Sequence, residues 1–78
     1  VAEPECKHLY AQMVRTKWPE LSEAQIEDLC CSYEDMAIEF GETVEGAKAN
    51  IQCVVTQSKK PSTRKATIRA NYNKAIAA

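Results

Sequence analysis

The sequence predicts an all-α protein, a small disulfide-stapled bundle of three to four helices with the second helix central. Three observations lead there. Only two glycines occur among 78 residues, while strong helix formers such as Ala, Glu, Lys and Gln recur throughout. Apolar residues return at intervals of three and four, which gathers them on one side of a helix. Four cysteines in so short a chain, two of them adjacent as Cys30-Cys31, read as a disulfide framework. A single domain over residues 1–78 is expected, with a body at 4–58 and a basic C-terminal helix at 62–77.

The first helix is expected from about Pro4 to Lys17. Pro4 suits a first helical position, and Glu5 complements the positive end of the helix dipole. Cys6, Leu9, Tyr10 and Met13 form its apolar stripe, with His8 on the opposite, exposed face. Pro19 pulls Trp18 out of helical geometry and ends the segment. In the second helix Ser22 and Gln25 make a capping-box pattern, and Leu21 with Ile26 stand as a hydrophobic staple. Ile26, Leu29, Tyr33, Met36 and Phe40 then define a packing seam, closed by Gly41 as the residue after the cap.

Thr43 is placed to cap a third helix that runs to about Ser58, with Val44, Ala47, Ile51, Val54 and Val55 as its stripe. Lys59-Lys60-Pro61 marks a break. Ser62 then caps a fourth helix through Ala77, carrying Ile68, Tyr72, Ala75 and Ile76. Arg64 and Lys65 oppose the dipole at its start, which weakens it in isolation.

Adjacent helical residues point about 100° apart, so Cys30 and Cys31 cannot both face one neighbour. Cys30 flanks the seam, whereas Cys31 lies on a thinner stripe with Ala24 and Ile38. A central helix stapled on each side follows. Folding back around Trp18-Pro19 brings Cys6 level with Cys30, and folding back around Gly41-Glu42-Thr43 brings Cys31 level with Cys53. The expected bridges are therefore Cys6–Cys30 and Cys31–Cys53, with the swapped pairing left open and a bridge within the adjacent pair strained. Each would close a loop of roughly 25 residues and add about 3 kcal/mol on the chain-entropy model, a useful supplement in a chain too short to bury a large core.

Disulfides persist in oxidising surroundings, so a secreted or periplasmic setting is expected, with a signal peptide removed ahead of Val1. No stretch approaches the run of about 18 apolar residues needed to span a bilayer. Net charge is −1, but it is unevenly laid out. Residues 1–57 hold all eleven acids against four bases, whereas residues 58–78 hold six bases and no acid.

Chemistry-bearing patterns are sparse. Structural zinc sites space at least one pair of ligands by two to four residues, and the close cysteine pair here is adjacent, so no metal is expected. No C-x-x-C motif tunes a thiolate, no Ser or free Cys is set beside His8 as a nucleophile, and no EF-hand, P-loop or dinucleotide turn occurs. Neither an enzyme nor a cofactor is expected. The acids Glu20, Glu23, Glu27, Glu34 and Glu39 instead suggest an anionic surface that steers a basic protein partner. Trp18, Tyr33 and Tyr10 stand as candidate aromatic anchors. The expected function is non-enzymatic binding of the inhibitor or immunity type. The alternative is a periplasmic chaperone-like or lipid-associated carrier that works through the amphipathic C-terminal helix. For the basic tail, Arg64, Lys65, Arg69 and Lys74, the favoured role is docking on the second helix. A membrane surface is less favoured, nucleic acid is not expected, and a homodimer joining tail to acidic face is open.

Overall fold

Short local signals set most of the helix boundaries. The computed structural model describes residues 5–77, and among them it contains four helices and no strand. They are α1 (Ala11–Lys17), α2 (Glu23–Glu39), α3 (Val44–Gln57) and α4 (Lys65–Ala77). At the start of α2 the Ser22 hydroxyl accepts from the Gln25 amide at 3.2 Å, and the Gln25 side chain accepts from the Ser22 amide at 3.0 Å. Both halves of the capping box are thus made. The helix ends in a Schellman turn. Gly41 adopts a φ of 64°, its amide reaches the Ile38 carbonyl at 3.0 Å, and the Glu42 amide reaches Ala37 at 3.3 Å. Thr43 caps α3 by accepting from the Gly46 amide at 3.1 Å.

Two boundaries differ from expectation. α1 begins at Ala11 rather than near Pro4, and Pro4 itself lies outside the described residues. Residues 5–8 are irregular because their partners lie on other elements: the Arg15 guanidinium holds the Cys6 carbonyl at 3.2 Å, and His8 bonds Glu34 of α2. A helical wheel does not apply there, and the expected faces invert. Leu9 is exposed, whereas the His8 side chain is only 16% exposed. α4 starts at Lys65 because the Ser62 hydroxyl binds the Arg64 amide at 3.2 Å in a tight turn instead of capping a helix.

One apolar cluster joins all four helices: Tyr10, Ala11, Val14 and Trp18 meet Ile26, Leu29, Cys30, Tyr33 and Met36, with Ile51, Val54, Val55, Ile68 and Tyr72. A fully buried side chain of the Val, Leu, Ile, Phe or Met class contributes about 1.5–3 kcal/mol, so this cluster dominates the stability. Trp18, Tyr10 and Tyr33, expected as partner anchors, are part of it and are sealed from solvent. They sit where helical spacing converges inward, and Tyr10 packs edge-on against Tyr33 with centroids 6.0 Å apart.

Both α2 and α3 touch all three other helices, while α1 and α4 do not meet. Centrality therefore belongs to the α2–α3 pair and not to α2 alone. α4 runs in the same direction as α2: Thr63 lies by Ser32, Lys65 by Asp35, Arg69 by Glu39 and Tyr72 by Glu42. The bundle is elongated, 43 × 24 × 19 Å.

All four cysteines are free, so the structure gives the expected stapling no support. Cys6 and Cys30 are neighbours at the core edge. Cys31 and Cys53, in contrast, are both exposed. α2 turns Ile26, Leu29, Cys30, Tyr33 and Met36 into the core, and α3 turns Ile51, Val54 and Val55 into it. That packing leaves Cys31 and Cys53 on outward faces, where levelness along the helix axes does not bring the sulfurs together.

Candidate docking surface

The segment 5–10 lies along α2 and carries side chains onto its surface. Arg15, on α1, is the bracket. Its guanidinium pairs with Glu23 of α2 at 3.2 Å and approaches Glu5 at 3.8 Å, besides holding the Cys6 carbonyl. Cys6 then reaches the Cys30 thiol, whose pKa burial pushes up to about 12, with the fields of Cys6 and Cys31 adding to the rise. A thiol held protonated in this way is a poor nucleophile. Two residues on, the His8 ring bonds Glu34 and stacks on Tyr10 at 5.9 Å.

These placements sort the acids expected to form an anionic face. Glu23 is tied to Arg15, Glu34 to His8 and Glu39 to Arg69, and Asp35 lies 3.9 Å from Lys65. Glu20, Glu27 and Asp28 are exposed and meet no cationic side chain among the described residues. Open acids thus lie on the N-terminal half of α2 and its approach, with Glu45 at the start of α3, and Lys7 shares a cleft with Glu27 without pairing to it. The Cys31 thiol sits beside it; desolvation raises its pKa, and the fields of Glu27, Glu34, Asp35 and Asp28 raise it further.

The basic tail divides as well. Lys65 and Arg69 face α2, whereas Arg64 and Lys74 are exposed with no acidic partner among the described residues. The apolar residues of α4 that were expected to form its stripe split in the same manner: Ile68 and Tyr72 lie in the core and Ile76 is exposed.

At the α2–α3 turn is a feature that the residue spacing did not single out. Leu9, Ile38 and Val44 are 49%, 70% and 65% exposed, and all three line one groove of about 360 Å³ with His8, Tyr10, Glu34, Ala37, Glu42 and Ala47. Glu42 also anchors the helix junction. Its Oε1 accepts from Asn50 at 2.8 Å and from the Tyr72 hydroxyl, and Phe40 stacks on Tyr72 at 4.9 Å. Burial, then the bond to Glu42, pushes the Tyr72 pKa up to about 12. The one sequence signal for this groove was Ile38, an isoleucine standing off the main seam of its helix.

No helix among the described residues is long and apolar enough to cross a membrane. No three His, Cys, Asp or Glu side chains among them gather as a metal site requires. Comparison with known protein families, curated proteins and solved structures finds no match to this chain.

Proposed function

We propose that this protein is a small non-catalytic binding module that presents the carboxylates of α2 to a basic protein partner, in the manner of an inhibitor or immunity protein. The observation that carries this reading is the trio Glu20, Glu27 and Asp28, exposed and without an ion-pair partner among the described residues, while Glu34, Asp35 and Glu39 in the far half of α2 already touch His8, Lys65 and Arg69. Charge left open on one side of a rigid helix steers association and discriminates against acidic partners.

The setting outside the cytosol, secreted or periplasmic, is part of the same proposal and rests on Cys6 and Cys30 alone. In an oxidising compartment these neighbouring thiols would give up two protons, and two electrons to a disulfide-bearing oxidant, to form one bridge between the N-terminal segment and α2. The core is complete without it, so such a bridge would secure the segment that carries His8 and Leu9 more than the bundle itself.

The test uses a lysine-rich probe protein and isothermal titration at low and high salt. The triple variant Glu20→Gln, Glu27→Gln, Asp28→Asn should bind the probe about tenfold more weakly at low salt, from about 0.5 kcal/mol per exposed charge pair. The difference should vanish at high salt. Equal affinity of the two proteins at low salt would reject the reading.

A further inference from the structure

We propose that the groove beside the α2–α3 turn receives an apolar side chain from a basic peptide segment, whose adjoining cationic group reaches Glu42 and Glu34. This rests on the binding-module reading above and adds the place where the partner is anchored.

Three observations converge. Leu9, Ile38 and Val44 leave large aliphatic surface open around one cleft, and contiguous exposed apolar surface of this kind marks interaction sites. The floor is made of small residues, Ala37 and Ala47, which leaves depth for an inserted side chain. The size of the cleft, about 360 Å³, falls in the range of ligand sites. Second, two residues lining it carry buried polar atoms without a partner among the described residues: Nδ1 of His8 and Oε2 of Glu42. Buried polar groups are normally paired, and an incoming donor would satisfy Glu42.

Third, the cleft has a definite sign. Glu34 and Glu42 stand on its lining with no lysine or arginine among the lining residues. Tyr10 between them has its pKa raised by burial and next by the fields of these two carboxylates. An apolar slot with that rim complements Lys or Arg flanking a Leu or Ile, and it opposes a fatty carboxylate or an anionic lipid surface. The open acids Glu27 and Asp28 lie further along the same helix, so a longer basic segment would extend from the groove onto them.

The experiment titrates isotope-labelled protein with an acetylated peptide Lys-Leu-Leu-Lys-Leu-Leu-Lys and with its counterpart bearing Glu in place of Lys. The Lys peptide should shift the backbone amide signals of Leu9, Ile38, Val44 and Ala47, and the Glu peptide should not. Ile38→Ser should weaken binding at least fivefold without changing the melting temperature, because that side chain lies outside the core. Glu42→Gln keeps an acceptor for Tyr72 and Asn50 and should also weaken binding. Shifts confined to Glu20, Glu27 and Asp28 would overturn the groove while leaving the acidic-surface reading intact. No shift anywhere would overturn both. Equal shifts with the Glu peptide, or with phosphatidylglycerol vesicles, would overturn the cationic occupant.

Discussion

At the scale of residues, burial holds three ionisable groups of the core, Tyr33, Tyr72 and Cys30, in their neutral forms. Tyr33 and Tyr72 are each about 1% exposed, and Cys30 is fully covered. Their pKa values are raised, that of Cys30 to about 12 by desolvation first and that of Tyr72 to about 12 by burial and Glu42. In the unfolded chain a tyrosine ionises near pH 10 and a cysteine near 8.5. Each raised group therefore supports the folded state fully below its unfolded pKa and loses that support as pH climbs toward its folded value. Stability in urea should stay level below about pH 8, then fall by up to about 1.4 kcal/mol per pH unit for each group in turn. A flat profile from pH 8 to pH 12 would show that these groups are not buried as described.

At the scale of elements, the caps and turns of α2 and α3 were legible because each is a local matter of three or four residues. Ser22, Gln25, Gly41 and Thr43 take the roles expected of them. Among the described residues Gly41 is the one position where backbone freedom is required, since its φ of 64° is costly for a residue with a Cβ. α4 lacks comparable local support. It begins with Lys65, its first turn holds no acid, and its ion pairs to α2 are exposed and individually worth little. Ile68 and Tyr72 hold it to the body. Ile68→Ala should therefore cost about 2–5 kcal/mol. Hydrogen exchange should then quicken across residues 65–77 before it does in α2. Uniform acceleration over all four helices would mean that α4 is not a separately releasable element.

The expected first helix shows the limit of periodicity. Cys6, Leu9, Tyr10 and Met13 have helical spacing, yet only Tyr10 of the four is buried. Spacing describes a face only where the backbone is helical, and the bonds that keep residues 5–8 out of a helix come from Arg15 and Glu34. The bracket formed by Arg15, Cys6 and Glu23 is a tertiary event with no local signature.

At the scale of the whole molecule, the uneven charge of the sequence is partly settled inside the fold. Lys65 and Arg69 meet Asp35 and Glu39, while Glu20, Glu27 and Asp28 near the start of α2, Glu45 on α3, and Arg64 and Lys74 at α4 are among the charges left unpaired. The four cysteines likewise divide into a neighbouring pair, Cys30 buried and Cys6 half-buried, and two exposed thiols. Replacing Cys31 and Cys53 together by Ser should change unfolding free energy by no more than about 0.5 kcal/mol. Cys30→Ser, which puts a hydroxyl where no water reaches, should cost about 1–3 kcal/mol. A loss of several kcal/mol in the double variant, measured without reductant, would instead reveal a bridge between α2 and α3.

The chain by itself determined the helical class, the caps of α2 and α3 and most of the seam, because those depend on contacts within a few residues. It also carried the charge imbalance, which is a property of composition. Tertiary structure alone decided which carboxylates stay open, that Trp18 is sealed in the core, that Cys31 and Cys53 stay exposed and unbridged, and that Leu9, Ile38 and Val44 line one groove. Each of these depends on how one helix is rotated against another, and a side chain can be level with a partner along the axis yet point to the opposite side.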